Sequence, residues 1–334
     1  MTNSIPQTVV QREGDPYIYL YVMGEWYCYN PADKPLGSGA MGTVYMGYRI
    51  KTRSRVAIKR VKDAYANNKM IRDRAKQEAS LAFRHPNLVE MIGYCEYSPS
   101  EGPIFILSNY VQGENIDKYV QTNFETQPDR VEKICRLIYP VLDALDYVHS
   151  RGVVHRDIKP SNIMVENDTN VRLMDLGIAR MNGGNNFSKY GFIGTPEYSA
   201  PEQILRSEDN SVQIDASTDI YALGITFYEL LAGNNPMQSD VESETLKRQM
   251  KDPLPPSEKI PKRLMLVLLK ATAKEQAKRY RTALDFKNAI VQAMMPTPTT
   301  QEKISAWMEE HTTVWMSVLI GSIVLLGVLI VFLL

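Results

Sequence analysis

The sequence predicts an α+β chain of two lobes, the first rich in strands and the second mostly helical, followed by one transmembrane helix. Three observations lead there. Strand-like segments crowd the first third of the chain, helical periodicity takes over after Gly113, and the final stretch from Val314 to Leu334 carries no charged residue. The chain has 334 residues, 44% of them apolar and 23% charged, which is a globular balance with room for one two-lobed domain and appendages.

Taken in order, residues 1–30 read as an N-terminal extension. Tyr17–Val22 and Trp26–Tyr29 flank Gly24, a hairpin pattern expected to lie against the next domain. Strands are expected at Gly42–Tyr48, Arg55–Val61, Leu88–Tyr97 and Ile104–Tyr110, with one helix from Asn68 to Phe83. The second lobe opens with Val131, Ile134, Ile138, Val141, Leu142, Leu145 and Val148, the apolar face of a long helix that Pro140 should kink or break. A buried helix follows from Ser217 to Leu231 and stops at Gly233. Residues 294–312, with Pro296 and Pro298, read as a linker, and 313–334 as the membrane helix. A helix of 21 uncharged residues rises about 30 Å, enough to cross the hydrocarbon core of a bilayer. Trp307 and Trp315 stand where headgroups would lie. The alternative, a buried core helix, would be shorter and keep a polar face.

Charge and cysteine content exclude other classes. The 38 basic and 38 acidic residues cancel, so nothing global argues for a nucleic-acid partner. Cys28, Cys95 and Cys135 are scattered without CxxC spacing, which argues against zinc and suits a reducing compartment. The N-terminus lacks the basic-then-apolar pattern of a signal peptide.

The chemistry begins at Gly37-Ser38-Gly39-Ala40-Met41-Gly42-Thr43-Val44. Glycines at this spacing let backbone amides approach phosphate oxygens. Alone the pattern is weak, since dinucleotide folds share it. There, however, it opens a helix, whereas Thr43–Tyr48 favour a strand. Val56-Ala57-Ile58-Lys59 then places one lysine on an apolar strand, and Glu78 follows on the next helix. Further on stand His155-Arg156-Asp157-Ile158-Lys159-Pro160-Ser161-Asn162, Asp175-Leu176-Gly177, and Gly194-Thr195-Pro196-Glu197-Tyr198-Ser199-Ala200-Pro201-Glu202.

In order and spacing this set resembles the protein-kinase signature, and residues 31–293 are most similar to the eukaryotic-like serine/threonine kinases of bacteria. The resemblance implies a bilobal protein-kinase fold, with an N-lobe over 31–110 and a C-lobe over 111–293. It also implies ATP with Mg2+ or Mn2+ as cofactors. Lys59 would hold the α- and β-phosphates and Glu78 would orient it. Asp175 and Asn162 would bind the metal, Asp157 would accept the hydroxyl proton, and Lys159 would neutralise developing charge. Val44, Ala57 and Met164 would sandwich adenine, with Asn109 and Val111 at the hinge. Ser108 sits at the gatekeeper place, where a small residue implies either an accessible back pocket or a space filled by its neighbours. Lys159 two residues past Asp157, together with Gly-Thr-Pro-Glu-Tyr, implies serine and threonine as acceptors.

Regulation is read from the same resemblance. Arg156 would pair with a phosphate on the segment from Asp175 to Glu202, with Ser188 the first candidate and Thr195 the second, Thr195 alternatively forming the wall of the peptide groove. Glu202 should pair with Arg279, and Asp219 should tie its helix to the catalytic loop. The partners implied are protein substrates, the membrane, and a second copy of the chain. That copy would meet it through the kinase domain or through Ser317 and Gly321 on the membrane helix. The kinase domain is expected to face the cytoplasm, where ATP is. The competing reading is a catalytically dead scaffold, which should lack one of Lys59, Asp157, Asn162 or Asp175; all four are present.

Overall fold

The computed structural model describes residues 8–39, 42–69, 72–73, 75–76, 83–98, 101–167, 169–175, 195–209, 211–296 and 300–333. It divides into two units, Met1–Ala293 and Met294–Leu334.

The first unit begins with strands β1 (Val9–Gln11), β2 (Ile18–Val22), β3 (Glu25–Tyr29), β4 (Gly37–Ser38), β5 (Gly42–Arg49) and β6 (Arg55–Val61). A short helix α1 (Asp63–Ala66) and strands β7 (Met91–Glu96) and β8 (Ile104–Asn109) complete the lobe. The sheet order is β1-β2-β3-β5-β6-β8-β7, with β4 paired to β5. The hairpin expected around Gly24 is present as β2–β3, with φ at +48° for Met23 and +84° for Gly24. It does not lie against the next domain as a separate layer. Instead β3 hydrogen-bonds to β5, pairing Cys28 with Tyr48, so residues 9–29 belong to the same sheet.

The sheet also curls. The Thr8 hydroxyl donates to the Glu96 carbonyl at 2.7 Å, bringing the β1 edge to the end of β7. Inside the curl, Leu20, Val22, Tyr27 and Tyr29 pack with Val56, Ile58, Phe105 and Leu107 in one buried cluster. The alternate residues of β8, Ile104 and Ile106, join Val61 and Ala75 in a second cluster. Period-2 alternation therefore buries both faces of β8, which explains its uninterrupted apolar run. Of the helix expected over Asn68–Phe83, the described residues Arg72, Asp73, Ala75 and Lys76 are helical. The strand expected from Leu88 starts later, at Met91, because Leu88 forms a parallel bridge with Leu173 instead.

Strand β9 (Glu114–Asn115) opens the second lobe, followed by helices α2 (Ile116–Phe124) and α3 (Arg130–His149). Strands β10 (Ile163–Val165) and β11 (Val171–Leu173) form a small sheet in the order β11-β10-β9. Helices α4 (Pro201–Glu208), α5 (Ala216–Ala232), α6 (Glu242–Lys251), α7 (Lys262–Ala271) and α8 (Ala283–Met294) complete the lobe. Helix α3 runs unbroken through Pro140, so the expected break does not occur. Helix α5 is buried on nearly every side and is the pillar of the lobe. The Asp215 carboxylate accepts the Ser217 N–H at its start, and Gly233 at φ +91° ends it in the left-handed region.

The second unit holds α9 (Thr300–Glu310) and α10 (Thr312–Leu333). The expected linker over 294–312 thus contains a helix, since Thr300–Glu310 carries Gln301, Glu302, Lys303, Ala306, Met308, Glu309 and Glu310 and no glycine or proline. Among the described residues no helix is long and apolar enough to cross a membrane. The side chains at 327–328 and 330–334 of the apolar C-terminal run lie outside the described residues.

Candidate active site

The glycine-rich turn is formed by β4 folding back on β5, with Gly37 opposite Val44 and Ser38 opposite Thr43. The Gly39 N–H donates to the Gly42 carbonyl at 2.9 Å. A Cβ on Gly42 would stand 2.7 Å from the Arg60 carbonyl oxygen, so a larger residue there would push β5 off β6. Gly37 and Gly39 have open space where a side chain would be, on an exposed turn that leaves room for a ligand's phosphates. Ala40 and Met41 lie outside the described residues, as do Glu78, Leu176, Gly177 and Ser188.

Lys59 is directly opposite Val44 in the β5–β6 ladder, and Ala57 is opposite Ser108 in the β6–β8 ladder. The Lys59 ammonium lies 3.5 Å from Asp175 Oδ2. Asp175 itself has φ +48°, a left-handed conformation that a non-glycine residue holds only when its surroundings enforce it. Met164 is on β10, opposite Asn115 and Arg172, and the hinge residues Asn109, Tyr110 and Val111 end and follow β8.

The loop from His155 to Asn162 is the most constrained part of the site. Asp157 receives two hydrogen bonds from the Asn162 amide, to its carbonyl at 2.8 Å and to Oδ2 at 3.1 Å. Lys159 Nζ lies 3.3 Å from Asp157 Oδ2 and donates to Thr195 Oγ1 at 2.7 Å. The Thr195 hydroxyl donates in turn to Asp157 Oδ1 at 3.3 Å. Asp157, Lys159 and Thr195 thus form a closed triangle at the mouth of the cleft. Asn162 bonds Asp157 through its amide nitrogen, leaving its carbonyl oxygen available to a cation.

This loop is held from beneath by buried Asp219 and by Gln203. Asp219, from the first turn of α5, accepts the backbone N–H groups of His155 and Arg156, each at 2.7 Å, and bonds His149 Nε2 at 2.7 Å. Burial alone would raise the Asp219 pKa, but the hydrogen bonds from His149 and from the Arg156 N–H hold it below the ordinary value. His155 accepts the Asp157 N–H on Nδ1 at 3.3 Å, so its proton sits on Nε2 and is donated to the Met174 carbonyl at 2.9 Å. Burial pushes its pKa down and keeps the ring neutral. Arg156 has φ +66°, and Gln203 Nε2 donates to its carbonyl at 3.0 Å. Arg279 and Glu202 form the expected pair, bidentate at 2.7 and 2.8 Å and buried, with Thr218 Oγ1 donating to Glu202 at 2.7 Å.

Sequence reasoning missed several supports: His149, the Met174 carbonyl, Gln203, and the 2.7 Å bond from the Tyr198 hydroxyl to Glu229. Only the motif positions carried a signal; His149, Met174, Gln203 and Glu229 lie outside the motifs or between them, and Tyr198 stands in one without showing its partner.

The oxygen donors fit magnesium. Among the described residues no cluster of three or more His, Cys, Asp or Glu side chains could hold a metal alone. Asp175 and Asn162 instead offer two hard oxygens, the share Mg2+ takes from protein when phosphates and water supply the rest.

The protein kinase domain family matches residues 31–300. The chain belongs to the protein kinase family. Among its curated relatives, the serine/threonine-protein kinase PknB of Mycobacterium leprae is 32% identical over 278 residues, covering 80% of this chain and 43% of the relative. The serine/threonine-protein kinase pkn3 of Myxococcus xanthus is 31% identical over 269 residues, covering 75% and 47%. This kinase chain therefore spans less than half the length of these relatives. Its fold is similar to the crystal structure of the Mycobacterium tuberculosis PknI kinase domain, with a TM-score of 0.61 at 25% identity over 85% of this chain and 99% of that one. The β-rich N-lobe and helical C-lobe are those of a protein kinase, with an N-terminal hairpin built into the N-lobe sheet.

Proposed function

We propose that this kinase transfers the γ-phosphoryl group of ATP to serine and threonine hydroxyls of proteins. The observation that carries the reading is the Asp157–Lys159–Thr195 triangle, with Asn162 bonded to the same aspartate. Phosphoryl transfer passes through a loose transition state, so the protein's task is to position groups and balance charge. Asp157 would accept the proton of the acceptor hydroxyl and aim it. Lys159, already 3.3 Å from Asp157, would offset charge on the transferred group. Lys59 would bind the phosphates, with Val44, Ala57, Met164, Asn109 and Val111 around the base. Asp175 and Asn162 would hold Mg2+, which supplies charge neutralisation between phosphates. The relatives from Mycobacterium leprae and Myxococcus xanthus, both serine/threonine-protein kinases, support the acceptor class.

The test is phosphate incorporation from γ-labelled ATP, compared with Asp157→Asn and Asp175→Ala. Label on serine and threonine that both variants lose is expected. Bound nucleotide without any transfer, with magnesium or manganese, would instead favour the scaffold.

Membrane anchoring belongs to the same proposal. It is supported by the uncharged run from Val314 to Leu334 in the sequence. The kinase domain would then face the cytoplasm. Alkaline extraction of membranes checks it: the full chain should stay in the pellet, and release into the supernatant would remove the anchor. Autophosphorylation within 175–202 is proposed with Ser188 as the site, because the Thr195 hydroxyl is engaged with Lys159 and Asp157. Pairing of two chains through Ser317 and Gly321 stays a proposal for crosslinking in membranes to check.

A further inference from the structure

A cavity of about 730 Å³ lies beside the catalytic cleft and shares the hinge residues Asn109 and Val111 with it. It lies at the other end of the β5–β6 hairpin, where Arg55 is opposite Tyr48, whereas Lys59 is opposite Val44 at the glycine-rich end. Neither Lys59, Asp157, Asn162 nor Asp175 lines it. Its walls come from both lobes: Arg49 and Arg55 from the hairpin, Arg84 from the chain before β7, and Arg172 from β11. The buried side chains of Val56, Leu88 and Val111 line its floor.

Four arginines against two glutamates, Glu90 and Glu166, give the lining a basic excess in a chain whose net charge is zero. Three of the arginines have a carboxylate beside them. Arg172 lies 3.3 Å from Glu166, Arg84 3.7 Å from Glu90, and Arg49 3.0 Å from Glu25. Arg55 is different, its guanidinium standing over the Tyr110 ring at 5.8 Å. Guanidinium forks around an apolar floor suit carboxylates carried on an extended chain with apolar residues between them.

We propose that this groove docks an acidic segment of a partner protein, alternating carboxylates with apolar side chains. A concave site walled by both lobes admits a peptide strand, whereas a flat bilayer surface would meet only its rim. The segment would lie against Asn109, Tyr110 and Val111, on a surface separate from that of the acceptor hydroxyl.

The test uses the purified full chain in detergent and a fluorescein-labelled peptide of alternating glutamate and leucine, read by anisotropy. Binding that weakens with salt is expected, with a loss of at least about tenfold in the Arg55→Glu/Arg84→Glu double variant. Both side chains are exposed, and an unchanged thermal midpoint would show that the variant is folded. A lysine–leucine peptide should not bind. Equal binding of that peptide, unchanged affinity in the variant, or no binding of the acidic peptide would each overturn the proposal. So would variant-sensitive binding of phosphatidylserine vesicles without peptide binding, which would assign the surface to a membrane.

Discussion

Asp219 reaches from the first turn of α5 to the backbone N–H of Arg156, 2.7 Å away, and so fixes the residue before Asp157 in a left-handed conformation. Helix α5 of the C-lobe and the loop that carries Asp157 are joined by this carboxylate. It is shut off from bulk solvent, since Asp219 is fully buried.

Replacing Asp219 by Asn removes the charge but keeps the shape. Two N–H groups and His149 then face a weaker acceptor, and stability should fall by roughly 3 kcal/mol or more, read by urea unfolding. The pH dependence has a definite sign. A carboxylate whose folded pKa is depressed stabilises above its unfolded value and loses that contribution as pH falls through the folded one. The native chain should therefore lose stability below about pH 3.8, and the variant should show less of that loss.

Thr195 bridges Lys159 and Asp157 by its hydroxyl, so the hydroxyl is the part that matters. Thr195→Ser should keep kcat within a few fold. Thr195→Ala should lower it by about tenfold or more with little change in the KM for ATP, the pattern of lost positioning. A glutamate at this position would set a carboxylate beside Asp157 and abolish transfer. Steady-state kinetics of the three variants decides the matter.

Lys274 donates from the interior to the Tyr221 hydroxyl at 2.8 Å, and burial lowers its pKa to about 8. Between that value and the ordinary 10.5 the unfolded chain binds more protons than the folded one, so stability rises with pH. Lys274→Met should remove this rise, seen as a flatter profile in urea titrations at alkaline pH.

All three cysteines are free and buried. Burial raises the Cys28 thiol and pushes Cys95 and Cys135 up to about 12, so thiolate is scarce. Native protein at pH 8 should take up no Ellman's reagent, and three equivalents should react in denaturant. Rapid labelling of the native chain would contradict the packing of β3, β7 and α3.

What the sequence by itself determined is the order and spacing of the motif residues that the fold gathers, and the type of most of the main elements. Residues such as Asp157, Asn162, Lys159 and Asp175 stand in short motifs whose spacing is imposed by local backbone geometry, so they can be read in one dimension. The hairpin at Gly24 and the buried helix ending at Gly233 were legible for the same reason: turn and cap residues act on their immediate neighbours. The tertiary structure alone decided which of these segments share a sheet, and what holds the loop from below. That β3 pairs with β5, that Leu88 bridges Leu173, and that His155 donates to Met174 depend on contacts between residues far apart in the chain. The same is true of the four arginines gathered at the hinge. Such contacts form because burying apolar surface brings distant segments together and every buried polar group must then find a partner, a requirement no local pattern records.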